Sequence, residues 1–276
     1  MRTVIVIPAR YASTRYPGKP LAMLRGPGGA RRPLIRLAWE AARAVPGIAG
    51  VYVATDDARI AEAAQGFGAQ VILTSETCRN GTERCAEALA TGGIDADLVV
   101  NLQGDAPLTP PWFVTALVAR MGENAGGENA GAEETGAEVA TPVLRLDAQG
   151  LRHFREDRAA GRVGGTTAVF DARGRALYFS KEVIPFTGEG DPPAPIPVFH
   201  HVGVYAYRPA ALAAYGRLPE GPLERLEGLE QLRFLENGIP VACVEVAARG
   251  RAFWELNNPE DIPRIETALA AQAGAA

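Results

Sequence analysis

Three cations, Arg10, Arg15 and Lys19, fall inside the segment ARYASTRYPGKP, directly behind the first apolar run of the chain. Guanidinium forks and a compact ammonium at that density are complementary to a polyphosphate, and backbone N–H groups around Ser13 and Thr14 can add donors. A solvated basic loop has the same composition, so charge alone leaves both readings open. The segment contains neither GxxxxGK[ST] nor GxGxxG. A second feature is NLQGDAP at 101–107, where Asp105 would emerge at the end of an apolar run and offer a hard oxygen ligand for Mg²⁺ against phosphate. Aspartate is also a common turn former. In a third, NGTER at 80–84, Thr82 can cap a helix and Arg84 can face a ligand, but taken alone it is better explained by ordinary helix-start chemistry.

The rest of the composition bounds what such groups can do. Over 276 residues, 28 basic and 32 acidic side chains leave a net charge of −4, so there is no overall drive toward nucleic acid or anionic lipid. No apolar run approaches the ~20 residues that span a bilayer, and the apolar part of MRTVIVIPAR is short for a secretory signal, which leads us to expect a cytoplasmic protein without membrane insertion. Cys78, Cys85 and Cys243 form no CxxC pair, and His153, His200 and His201 lack zinc spacings.

The elements that must position these residues follow from periodicity. The runs TVIVIP (3–8), VYVAT (51–55), QVILT (70–74) and DLVVNLQ (97–103) are continuous and β-branched, as in strands covered on both faces. Helical patterns lie between them: Leu34, Ala38, Ala41 and Val45 after Pro33; Ile60, Ala63, Ala64 and Phe67 after Asp56 as cap; and a third near 82–89. Strand and helix alternate, which predicts an α/β, Rossmann-like, doubly wound and mostly parallel sheet with its ligand beyond the carboxyl ends of the strands. A helix near 110–121 precedes a Gly, Glu, Asn and Ala tract at 122–136 that reads as a solvated loop. TTAVF, DARGR and ALYFS predict a hairpin, and HVGVYAY an alternating strand. Five prolines between 185 and 197 suggest an extended excursion. Leucines at 223, 226, 229, 232 and 235 predict one helix ended by Asn237-Gly238, then a strand at 241–246 and a last helix capped by Asn258 with Pro259. No clean linker is visible. The expectation is a single domain over 1–276 with an embedded hairpin or arm subregion at 160–215.

Taken together and in order, ARYASTRYPGKPL, NGTER, NLQGDAP, ALYFSKEVIP, HHVGVYAY, PLERLEGLEQLR and NNPEDI resemble the 3-deoxy-manno-octulosonate (Kdo) cytidylyltransferases, from Val4 to about Ile265. The resemblance implies transfer of CMP from CTP to the anomeric hydroxyl of an acidic sugar, with release of pyrophosphate, in lipopolysaccharide biosynthesis. It implies that Arg10, Arg15, Lys19 and Asp105 are catalytic, and that Ala9, Ser13, Arg84 and Gln103 bind CTP. Mg²⁺ would sit on Asp105, and Lys181, His201, Tyr205, Glu230 and Gln231 would line the acceptor pocket. Such enzymes typically form homodimers through the later hairpin region, which 160–215 would supply.

Several positions depart from the family pattern. Ala106 stands where Glu is usual, Thr167 where Lys is usual, and Lys181 where Arg is usual, so the acceptor could differ from Kdo, an amino-substituted form included. The closing motif, usually Asp-Thr-Pro-Glu-Asp, starts here with Asn257, a neutral amide in place of a second metal carboxylate. If 253–257 is a strand, Glu255 shares a face with Asn257 and could substitute. A nucleotide-binding paralogue with little turnover, or an enzyme with another nucleotide or sugar, remain the competing readings.

Overall fold

The computed structural model describes residues 1–12, 16–123, 137–163, 165–188, 190, 192 and 194–273. The chain opens with β1 (Thr3–Ala9), a short antiparallel pair β2 (Met23–Arg25) and β3 (Arg31–Pro33), and α1 (Leu34–Arg43). Next come β4 (Gly50–Thr55), α2 (Ala58–Gly66), β5 (Gln70–Leu73), α3 (Gly81–Thr91), β6 (Leu98–Leu102) and α4 (Pro111–Glu123). The later part holds β7 (Val139–Arg145), α5 (Ala148–Ala159), β8 (Thr166–Phe170), β9 (Ala176–Ser180), β10 (Phe199–His201) and β11 (Val204–Tyr207). It ends with α6 (Pro209–Tyr215), α7 (Pro222–Glu227), α8 (Leu232–Glu236), β12 (Val241–Val246) and α9 (Ile262–Ala273).

Two compact units result, one of Met1–Thr115, Tyr207–Gly216 and Ala248–Ala276, the other of Ala116–Ala206 and Arg217–Ala247. In the first unit β5, β4, β1 and β6 lie side by side and all parallel. Every residue of β1 and β6 is buried, as expected of central strands covered on both faces, whereas β5 at the edge is half exposed. Leu34, Leu37, Leu24, Leu108, Leu256, Ile265 and Leu269 form one cluster, so α9 packs into one core with β2 and α1. The caps differ in detail from the sequence expectation. Asp57 caps α2, its carboxylate accepting from the N–H groups of Arg59 and Ile60, and Asp56 turns elsewhere. Asn80 caps α3 through Glu83 N–H, and the Thr82 hydroxyl is instead buried against Tyr207 Oη at 2.8 Å.

In the second unit β7 is the hub. It pairs in parallel with β12 and antiparallel with β10, which pairs with β8, and β8 and β9 form the expected hairpin. The hairpin turn is held by Asp171, whose carboxylate accepts from the N–H groups of Arg173 and Arg175 and is kept below the usual carboxylate range chiefly by the Arg175 guanidinium. The strand expected over 201–207 is two strands, broken at Val202 and Gly203, and β11 is buried along its length instead of alternating. The helix expected over 223–235 is also two. Gly228 ends α7 in the left-handed region, with φ of 60°. A leucine every third residue drifts ~60° per step around a helix of 3.6 residues per turn, so five of them cannot hold one face. Leu232 is accordingly buried while Leu226 is 83% exposed. The two short helices are locked by Arg233, which donates to both carboxylate oxygens of the buried Glu224 at 2.7 and 2.6 Å. Of the 160–215 subregion, residues up to 206 fall in this unit. Most of the 122–136 tract lies outside the described residues.

Candidate functional site

Lys19 owes its place to the turn before it. Gly18 has φ of 71° and its N–H donates to Tyr11 O at 2.9 Å; a Cβ there would stand 3.0 Å from the Tyr11 ring. Both the backbone and the ring therefore require glycine. Lys19 then starts a single tight turn, Lys19–Leu21, with Pro20 second. Asp105 arrives from the other side, just past β6, where a Cβ on Gly104 would come within 3.0 Å of Pro8 O. The two meet: Lys19 Nζ lies 2.5 Å from Asp105 Oδ2, with side chains 16% and 24% exposed. An ion pair at the carboxyl end of two adjacent parallel strands sits where open α/β sheets take their ligands.

Arg84 and Gln103 border the same sheet ends. Arg84, buried on the first turn of α3, donates through Nη1 to Thr74 Oγ1 at 2.5 Å and lies 3.3 Å from Asp56 Oδ1. Gln103 donates through Nε2 to Asn101 Oδ1 at 3.2 Å, and a Cβ on Gly81 would meet that Nε2 at 2.7 Å, so glycine lets α3 close onto it. Ala9, the last residue of β1, is buried opposite Thr55. Arg10 is exposed and donates to Arg79 O at 3.4 Å. Ser13 and Arg15 lie outside the described residues.

Asn257 comes to this neighbourhood through the backbone, since Leu256 N–H donates to Asp105 O at 2.9 Å. The stretch 251–257 is irregular, not a strand, so strand alternation does not set Glu255 on one face with Asn257. Asp261 does not supply a second carboxylate either. Its oxygens accept from the N–H groups of Asn257 and Asn258 at 2.9 and 2.8 Å and from Trp254 Nε1 at 3.0 Å. Ala106 is fully buried, a core position in this chain. Among the described residues no cluster of three His, Cys, Asp or Glu side chains could cage a metal.

The residues expected around the acceptor lie in the second unit. His201 is buried, with Nε2 3.0 Å from Thr141 Oγ1 and Nδ1 3.1 Å from Thr166 Oγ1. Because the Thr141 hydroxyl also contacts the carbonyls of Val202 and Val204, its proton goes to a carbonyl and its lone pair receives His201 Nε2–H. Burial, with His200 adding to it, pushes the His201 pKa down to about 3, so the ring is neutral. Its ring lies 5.6 Å from that of Tyr205, whose hydroxyl donates to Gln231 Oε1 at 3.1 Å. Gln231 Nε2 is buried and has no partner among the described residues, a donor left over for a ligand. Glu230 beside it is half buried. Lys181 is held through its backbone, its N–H donating to Glu227 Oε2 at 2.8 Å, and its Nζ passes over Gly228, where a Cβ would stand 3.0 Å from it. Thr167 is buried and structural, its hydroxyl donating to Glu182 O at 2.6 Å and accepting from Ile184 N–H. Sequence reasoning missed Asp56, Thr74, Asn101 and Glu227. Each acts through another site residue and leaves no pattern of its own.

Comparison with known proteins identifies the family. A family model described as cytidylyltransferase matches residues 4–245. The 3-deoxy-manno-octulosonate cytidylyltransferase of Maricaulis maris is 43% identical, over 99% of this chain and 98% of that protein. The 8-amino-3,8-dideoxy-manno-octulosonate cytidylyltransferase of Shewanella pealeana is 38% identical, over 98% of this chain and 99% of that one. A solved structure of CMP:2-keto-3-deoxy-manno-octonic acid synthetase complexed with CTP superposes with a TM-score of 0.80 at 34% identity, over 99% of this chain and 100% of that one.

Proposed function

This chain belongs to the cytidylyltransferase family, and we propose on that footing that it transfers the CMP group of CTP to the anomeric hydroxyl of 3-deoxy-manno-octulosonate, releasing pyrophosphate. The observation that carries the proposal is the Lys19–Asp105 pair at the ligand edge of the parallel sheet. The new bond from the anomeric oxygen to the α-phosphorus forms as the bond to the bridging oxygen breaks, the hydroxyl proton leaves to water, and negative charge builds on the departing pyrophosphate. Lys19 neutralises that charge, while Arg10 and Arg15 hold the triphosphate tail and Ser13 and the backbone near Ala9 add donors. Gln103 and Arg84 face the nucleoside. Lys181, Glu230 and Gln231 hold the acidic sugar, the ammonium and the spare amide N–H meeting its carboxylate and hydroxyls, while the His201 and Tyr205 rings line the pocket.

The donor set fits Mg²⁺: Asp105 gives one hard carboxylate, and a magnesium site of this kind takes its remaining ligands from phosphate and water. When bound, the ion supplies charge stabilisation on the phosphates. Asp105 would hold it, with the Asn257 amide as a weaker neighbour.

We place the enzyme in the cytoplasm as a homodimer. The second unit exposes Leu177 at 64% and Phe186 at 93%, apolar surface that a second copy would cover. The relative from Shewanella pealeana supports a second acceptor, the 8-amino sugar. Pyrophosphate release from CTP with Kdo, 8-amino-3,8-dideoxy-manno-octulosonate and other 2-keto-3-deoxy acids, with and without Mg²⁺, tests the reaction and its acceptor together. We expect Mg²⁺-dependent release with Kdo; CTP binding with no release for any acid would leave the weak-turnover paralogue.

A further inference from the structure

Asp56, Thr74 and Arg84 come from three successive strand and helix junctions of the first unit. Asp56 follows β4, Thr74 follows β5, and Arg84 lies in the opening of α3. Because Asp57 takes the capping role for α2, the Asp56 carboxylate is released to face the guanidinium. The Arg84 side chain is 3% exposed, yet only Nη1 is engaged, by Thr74 Oγ1 and by the ion pair with Asp56. Nε and Nη2 make no hydrogen bond among the described residues and are not fully sealed from solvent. Asp56 Oδ1, by contrast, is sealed and accepts no hydrogen bond there, so it serves the guanidinium through charge alone. An arginine cannot shed its charge, and a buried one without a counterion moves to water.

Resting on the cytidylyltransferase reading, we infer that Asp56 and Thr74 are positioning residues, which hold Arg84 beneath the sheet edge with its unused N–H edge toward the acceptor oxygens of the bound nucleotide. Thr74 fixes the direction of the fork and Asp56 keeps it from swinging to solvent.

The test measures KM for CTP, KM for the acceptor, kcat and Tm for Thr74→Val and Asp56→Asn, each alone and with Arg84→Ala. Expected is a rise in KM for CTP on the order of tenfold, with KM for the acceptor within about twofold, and no added effect in the Arg84→Ala background. A purely structural role would lower Tm without that split, and independent roles would add to Arg84→Ala; either result overturns the inference. Asp56→Asn unpairs a buried charge and can fail to fold. Thr74→Val changes no charge and decides the matter alone if so. Titration of the wild-type protein with CTP separates the two levels. Binding by wild type with unchanged variants refutes the positioning roles and spares the parent reading, whereas absence of binding refutes both.

Discussion

Replacing Lys19 with Met removes one positive charge from the edge of the sheet while keeping the bulk of the side-chain stem. A unit charge pair ~4 Å apart at an effective dielectric of about 20 is worth ~4 kcal/mol. Realised fully in the transition state, that is about three orders of magnitude in kcat. Loss of a single preorganised donor to a developing oxyanion costs ~10²–10³, which overlaps that figure. The fold should notice much less. With side chains 16% and 24% exposed, the Lys19–Asp105 pair contributes about 1 kcal/mol to stability, or a Tm change of ~2–4 °C. Steady-state pyrophosphate release at saturating CTP, Kdo and Mg²⁺ reads kcat, and calorimetry reads Tm. A Lys19→Met enzyme with kcat within about threefold of wild type would refute the assignment of leaving-group stabilisation to this ammonium.

Asn257→Asp should lower the Mg²⁺ concentration needed for half-maximal activity, because a carboxylate replaces an amide beside Asp105; an unchanged Mg²⁺ titration would put residue 257 outside the metal's reach. His201 should stay neutral at mildly acidic pH, since its folded pKa of about 3 lies below the ordinary 6.5. The unfolded chain then binds more protons, so this contribution to stability is intact above pH ~6.5 and is lost, by up to ~1.4 kcal/mol per pH unit, as pH falls toward about 3. Denaturant unfolding across that window checks it, and a slope unchanged in His201→Gln would contradict it. Arg233→Met should cost ~3–5 kcal/mol by taking the guanidinium away from the buried Glu224 carboxylate, whereas Arg233→Met with Glu224→Leu should recover most of that loss; equal destabilisation of the two would deny the pair its role.

The parallel half of the fold was legible because its signal is redundant: β-branched runs, helical spacing and turn residues agree for β1, β4, β5 and β6. The second half was harder. β7 carries Pro142 and Thr141, and the latter serves His201 through its hydroxyl, so neither resembles a hydrophobic strand residue in isolation. The leucine series at 223–235 misled because spacing by three resembles helical periodicity over one turn and departs from it over four. At the site, Lys19 and Asp105 could be singled out from charge and from their place after apolar runs, but their contact could not, since it depends on the register of β1 against β6. Adjacent aspartates offered no means of deciding which would cap α2. The structure gives that task to Asp57 and leaves Asp56 to Arg84.

A crystal structure with CTP and Mg²⁺ bound tests the central claim most directly. The account predicts the triphosphate against Lys19 and the ion on Asp105, at the carboxyl ends of β1 and β6. A triphosphate bound elsewhere, with the Lys19–Asp105 pair undisturbed, would contradict it.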